Sequence, residues 1–170
     1  MKHKTFGSNA SPTALARAGR VARQTHSQWL CNLANLTHAL TLTMTRTANG
    51  LHPGHDEVLR RCRLFLNRVN CRLFKRRGTK RGYRIASVAF LGWGSYGNNP
   101  HVHWVLEKPR DQSDRAFEGM LQRIAETTAG IGDQPDIQQY FSVGWLSYMV
   151  DHGFEGWQPA LTFAAKCPKH

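Results

Sequence analysis

The stretch His101-Val102-His103-Trp104-Val105-Leu106-Glu107-Lys108-Pro109 decides the fold. It is entered through the turn-forming run Gly97-Asn98-Asn99-Pro100 and stopped by Pro109, so it reads as a strand. Side chains alternate along a strand, which puts His101, His103, Val105 and Glu107 on one face and Val102, Trp104 and Leu106 on the other. The second face is bulky, apolar and suited to a core. The first carries two imidazoles roughly 7 Å apart, close enough to converge on one divalent ion. A His-x-His pair by itself more often marks exposed or hydrogen-bonded histidines than a metal site. Company downstream changes that balance. Trp145-Leu146-Ser147-Tyr148-Met149-Val150-Asp151-His152-Gly153 reads as a short helix closed by glycine, with Tyr148 and His152 as i, i+4 neighbours on one face.

The strand before the histidines runs from Arg84 to Trp93, with apolar residues at both parities (Ile85, Val88, Ala89, Phe90, Leu91), a pattern that predicts a central strand. A seven-residue turn joins it to the histidine strand, so the two should form an antiparallel hairpin. Further back, His38 to Arg46 alternates: Leu40, Leu42 and Met44 face a core, and Thr41, Thr43 and Thr45 line the other side with hydroxyls. Asp136 to Val143 reads as a fourth strand, with Tyr140 on it.

Helices fill the intervals. Ser11-Pro12 offers a cap and a first-turn proline for a helix to about residue 35, after a loose basic tail over residues 1–10. Asp56 should cap a helix to about residue 74, with Val58, Cys62, Phe65, Leu66, Val69 and Leu73 as its apolar stripe. Arg60, Arg61, Arg63, Arg68 and Arg72 crowd the rest of that helix. Ser113 or Asp114 starts another amphipathic helix, with Phe117, Met120, Leu121, Ile124 and Ala125 inward. The element order α, β, α, β, β, α, β, α predicts one α+β domain over residues 11–157, built on a largely antiparallel sheet, with a partly apolar C-terminal tail over 158–170.

Charge adds a partner. The 170 residues carry a net charge of +12. Residues 1–106 hold 17 Lys/Arg against Asp56 and Glu57 alone, whereas residues 107–170 hold 6 against 9 acidic residues. That asymmetry predicts a polyanion, with nucleic acid the leading choice because the cations are arginine-rich and interleaved with Tyr83 and Trp93. The densest run, Lys75, Arg76, Arg77, Lys80, Arg81 and Arg84, reads as a flexible basic loop suited to phosphates. Cys31, Cys62, Cys71 and Cys167 form no CxxC pair, so reduced thiols are expected and a zinc ribbon is not. No apolar run approaches the roughly 20 residues of a membrane span, and no apolar stretch follows the charged first residues. A cytoplasmic, membrane-free location is the expectation.

The arrangement resembles the HUH endonucleases: rolling-circle replication initiators, conjugative relaxases and small single-tyrosine transposases. Ala39-Leu40-Thr41-Leu42-Thr43 is similar to the family's first-strand motif, His101-Val102-His103 to its metal motif, and Tyr148 to its nucleophile, over roughly residues 38 to 155. The resemblance implies an HUH/RRM-like fold and a Mg2+ or Mn2+ ion held by His101 and His103. Tyr148 would nick single-stranded DNA, or a DNA hairpin at an origin, through a 5′-phosphotyrosine link. Many initiators carry a lysine three or four residues after the tyrosine; here those positions are Asp151 and His152. The small transposases place a metal-binding glutamine four residues on, which makes His152 the implied third ligand and Glu107 the competing one. Tyr140 and Tyr96 are rival nucleophiles. Nothing resembles a helicase domain, so a host helicase or supercoiling would separate the strands. Against replication initiation stand a transposase or relaxase of the same superfamily, a metal-dependent nuclease using water, and a non-catalytic basic nucleic-acid-binding module.

Overall fold

In the computed structural model, residues 36–94, 99–140, 158–162 and 166 are described. Four strands are joined in the order β2-β3-β1-β4: β1 is His38–Thr43, β2 Ser87–Gly92, β3 His101–Leu106 and β4 Asp136–Gln139. Every pairing is antiparallel, with Thr41 opposite His103, Gly92 opposite His101, and Thr41 also opposite Asp136. Two helices pack on one side of the sheet, α1 (His55–Lys80) and α2 (Asp114–Glu126). The α+β expectation holds, as does the hairpin between β2 and β3.

The alternation in β1 explains the layering. Leu40 and Leu42 are fully buried, whereas Thr41 is half-buried and Thr43 exposed. On the helix side Leu40, Leu42, Val102, Trp104 and Leu106 meet Val58, Cys62, Phe65 and Val69 of α1 and Phe117 and Leu121 of α2. Trp104 stacks on Phe65 with ring centroids 5.3 Å apart. Burial pushes the Cys62 thiol up to about 12, so it serves as core. Ser113 caps α2 by accepting from the Ala116 amide at 3.3 Å.

Three expectations need correction. β2 is an edge strand of this four-stranded sheet, with β3 and β1 central. Residues 158–162 run along its outer edge. The Gln158 amide donates to Ala89 O at 2.9 Å, the Ala89 amide donates to Thr162 Oγ1 at 3.3 Å, and Ser87 Oγ donates to Leu161 O. Asp56 does not cap α1. Gly54 holds that position without a side-chain bond, and Asp56 sits in the first turn, where its charge suits the helix dipole.

The third correction concerns the basic stretch, which is folded. Helical geometry breaks at Lys75 (φ 56, ψ 168) and resumes to Lys80. Gly78 O then accepts the amides of Arg81 and Tyr83, each at 3.0 Å. The Phe74 and Tyr83 rings meet edge to face over Gly78, which has no side chain to keep them apart. Two of the arginines of α1 hold the fold together. Arg61 is buried, donating to Glu57 Oε1 at 2.7 Å, Thr45 O at 2.6 Å and Gly130 O at 2.7 Å. Arg68 binds Thr127 and Thr128 beyond the end of α2. The first helix, the tyrosine helix and the N-terminal tail read from the sequence lie outside the described residues.

Candidate metal centre

The sheet face turned away from α1 and α2 carries the histidines. Residues directly opposite one another in an antiparallel ladder share a face. The row Asp136–Thr41–His103–Phe90 therefore crosses all four strands, and the row Thr43–His101–Gly92 lies beside it. The two imidazoles are adjacent, with centroids 4.7 Å apart and planes at 82°. Both are half-buried, and Val88, Phe90 and Val105 on the same face are buried.

Each ring is held through Nδ1. His101 Nδ1 lies 2.9 Å from Asn99 O and, facing a carbonyl, donates to it. His103 Nδ1 lies 3.0 Å from Thr41 Oγ1. Holding Nδ1 leaves Nε2 as the ring nitrogen that a metal would need, as outer partners do for metal-binding histidines. His101 also leans over Gly92, where a Cβ would collide with Nε2 and come within 2.8 Å of Cε1. Burial, reinforced by the neighbouring His101 and partly offset by Asp136, lowers His103 to about 4. At neutral pH His103 is therefore an uncharged imidazole, the form that binds metals.

Other residues singled out in the sequence are spread more widely. Glu107 follows β3 on the histidine face, but four residues from His103, or about 13 Å along the strand, so it does not join the pair. One of its carboxylate oxygens is buried without a hydrogen-bond partner. Tyr140 lies just past β4, its amide donating to Thr37 O at 2.7 Å. That is four residues from Asp136 and a similar distance from the His103 row. Lys75, Arg76, Arg77, Lys80, Arg81 and Arg84 are all exposed. They cluster beyond the Ser87 end of β2, whereas His101 pairs with its Gly92 end. Arg84 stands six residues before Phe90, the partner of His103, a separation of about 20 Å. Tyr148, His152 and Tyr96 lie outside the described residues. Among the described residues no three His, Cys, Asp or Glu side chains converge as a ligand set.

Two neighbours of the pair escaped sequence reasoning. Thr41 was visible only as one of three hydroxyls on a strand face. Asp136 was visible only as a strand start, and β4 pairing beside β1 brings it to the His103 row. No family model, curated protein or solved structure matched the chain. No helix among the described residues is long and apolar enough to cross a membrane.

Proposed function

We propose that this chain is an HUH-type nicking and joining enzyme for single-stranded DNA, acting in rolling-circle replication of a mobile element. The observation that carries the reading is the adjacent His101–His103 pair, each ring oriented through Nδ1 on the sheet face opposite the helices. Two imidazoles fit two positions of a Mg2+ or Mn2+ site, and His152 is the third ligand in this reading. A bound ion would supply charge stabilisation at the scissile phosphate.

The chain's own residues do the rest. Thr41 and Asn99 O hold the two rings in place. Trp93, exposed just past the end of β2, offers a face on which a base can stack. Lys75, Arg76, Arg77, Lys80, Arg81 and Arg84 hold DNA phosphates away from the cut. Tyr148 Oη attacks phosphorus, its proton leaves, and the bond from phosphorus to the 3′-oxygen breaks as that oxygen gains a proton. The 5′-phosphotyrosine ester conserves the bond energy, so a 3′-hydroxyl can reverse the step and rejoin the strand without ATP. A host helicase would separate strands ahead of it. Transposase and relaxase chemistry would use the same residues.

The test is a covalent adduct. The protein is incubated with a random single-stranded DNA pool and Mn2+, then run on a denaturing gel. An adduct abolished by Tyr148→Phe and by chelator supports the reading. Cleavage without an adduct would indicate water as nucleophile, and binding without either would favour a non-catalytic module.

A further inference from the structure

The basic stretch is a built surface, and its position separates it from the histidine face. From Val58 to Leu106 the chain has eleven Lys/Arg and no acidic residue. Arg61 and Arg68 are engaged in holding the fold, whereas Arg63, Arg72, Lys75, Arg76, Arg77, Lys80, Arg81 and Arg84 are exposed. A pairing between segments far apart in the chain adds another cation that the sequence did not reveal. Lys166 pairs with Arg84 through both backbone bonds (2.9 and 2.8 Å), and its ammonium comes to 3.3 Å from where a Cβ on Gly82 would stand. The whole unit is folded around Gly78. Its entry residue, Lys75, adopts a positive φ, which is unfavourable for any residue but glycine. Gathering like charges on a folded, strained turn is unfavourable unless an anion neutralises them.

The surroundings select the anion. Large exposed apolar side chains among the described residues are Leu51, Leu64 and Trp93, none of them in this turn, and Tyr83 is half-buried against Phe74. The turn therefore lacks the stacking platform that single strands use. It also lacks the apolar face that seats a basic element in a lipid surface. What remains is a cluster of exposed cations suited to phosphates.

We propose that residues 75–84 with Lys166 form a docking surface for the phosphate backbone of duplex nucleic acid, separate from the histidine face. It deepens the reading above by giving the duplex beside a cut strand its own place about 20 Å from His103. It stands or falls independently of that reading, because duplex binding needs neither Tyr148 nor a metal.

The experiment measures fluorescence anisotropy of a 20-base-pair duplex of arbitrary sequence with the full chain, between 50 and 200 mM KCl. Three variants are compared: Arg76→Gln/Arg77→Gln/Lys80→Gln, Arg81→Gln/Arg84→Gln, and His101→Ala/His103→Ala, each checked for folding by circular dichroism. Both glutamine variants should bind the duplex at least about tenfold more weakly. Their salt slopes should fall by about 0.9 for each phosphate no longer neutralised. The histidine variant should stay within about twofold of the parent. Unchanged affinity and slope in both glutamine variants would overturn the proposal. So would an equal loss in the histidine variant, or glutamine variants that lose phosphatidylserine vesicle binding but not duplex binding.

Discussion

Thr41 Oγ1 lies 3.0 Å from His103 Nδ1, across the central pair of strands. The hydroxyl is where the alternation of β1 puts it, and it orients the ring whose other nitrogen would meet a metal. Thr41→Val keeps the shape and removes that bond. Mn2+ affinity, measured by calorimetry, should drop about 10- to 100-fold. The melting temperature should move by only a few degrees, since a half-buried hydrogen bond contributes about 1 kcal/mol.

Gly92 tests the same site from β2. A methyl group there would occupy the space of the His101 ring. Gly92→Ala should displace the imidazole and weaken Mn2+ binding at least tenfold while leaving the circular dichroism spectrum unchanged. A variant with unaltered Mn2+ affinity would show that the ring is free to relocate.

Arg61 distinguishes structural arginines from functional ones. It joins α1 to the carbonyls of Thr45 and Gly130 and to Glu57, all from a buried position. Arg61→Ala should destabilise the protein by about 2–4 kcal/mol in urea unfolding, because Thr45 O is deprived of its donor and the buried bonds to Gly130 O and Glu57 are lost, although Gly130 O keeps the Thr45 amide and Glu57 keeps Arg60. Arg63→Ala, at an exposed position on the same helix, should stay within about 0.5 kcal/mol.

Acid should unfold the protein in two windows. His103 in the folded protein stays neutral down to about 4, whereas an unfolded histidine protonates near 6.5. Between those values the unfolded chain binds more protons. Its contribution is therefore full above pH 6.5 and is lost as pH falls toward 4. Burial lowers His38 as well and acts in the same direction. Glu57 is held at about 2 by hydrogen bonds from Arg60 and Arg61, against an ordinary 4.5, so its contribution disappears between pH 4.5 and 2. Urea midpoints should fall from pH 7 to 4, less steeply in His103→Asn. The decline below pH 4.5 should be shallower in Glu57→Gln.

Much of the fold was legible because alternation is a local property. The parities of β1 and β3 put Leu40, Leu42, Trp104 and Leu106 in the core and Thr41 and His103 together on the opposite face. The position of β2 was not legible. Two-sided apolar sequence reads alike in a central strand and in an edge strand, and here residues 158–162 hydrogen-bond along that edge. The folded basic turn was missed for a related reason: charge density suggests a loop, while the Phe74–Tyr83 packing over Gly78 is what orders it. Asp136 could be joined to His103 only once β4 was known to pair with β1.

The most direct test of the histidine pair needs no DNA. Imidazole resonances of the full chain are followed by NMR as substoichiometric Mn2+ is added, with His101→Ala and His103→Ala spectra for assignment. The account predicts that the His101 and His103 signals broaden first and together, while those of buried His38 on the helix side persist. Signals from His101 and His103 that stay sharp, or that broaden no sooner than His38, would contradict a metal centre on this face.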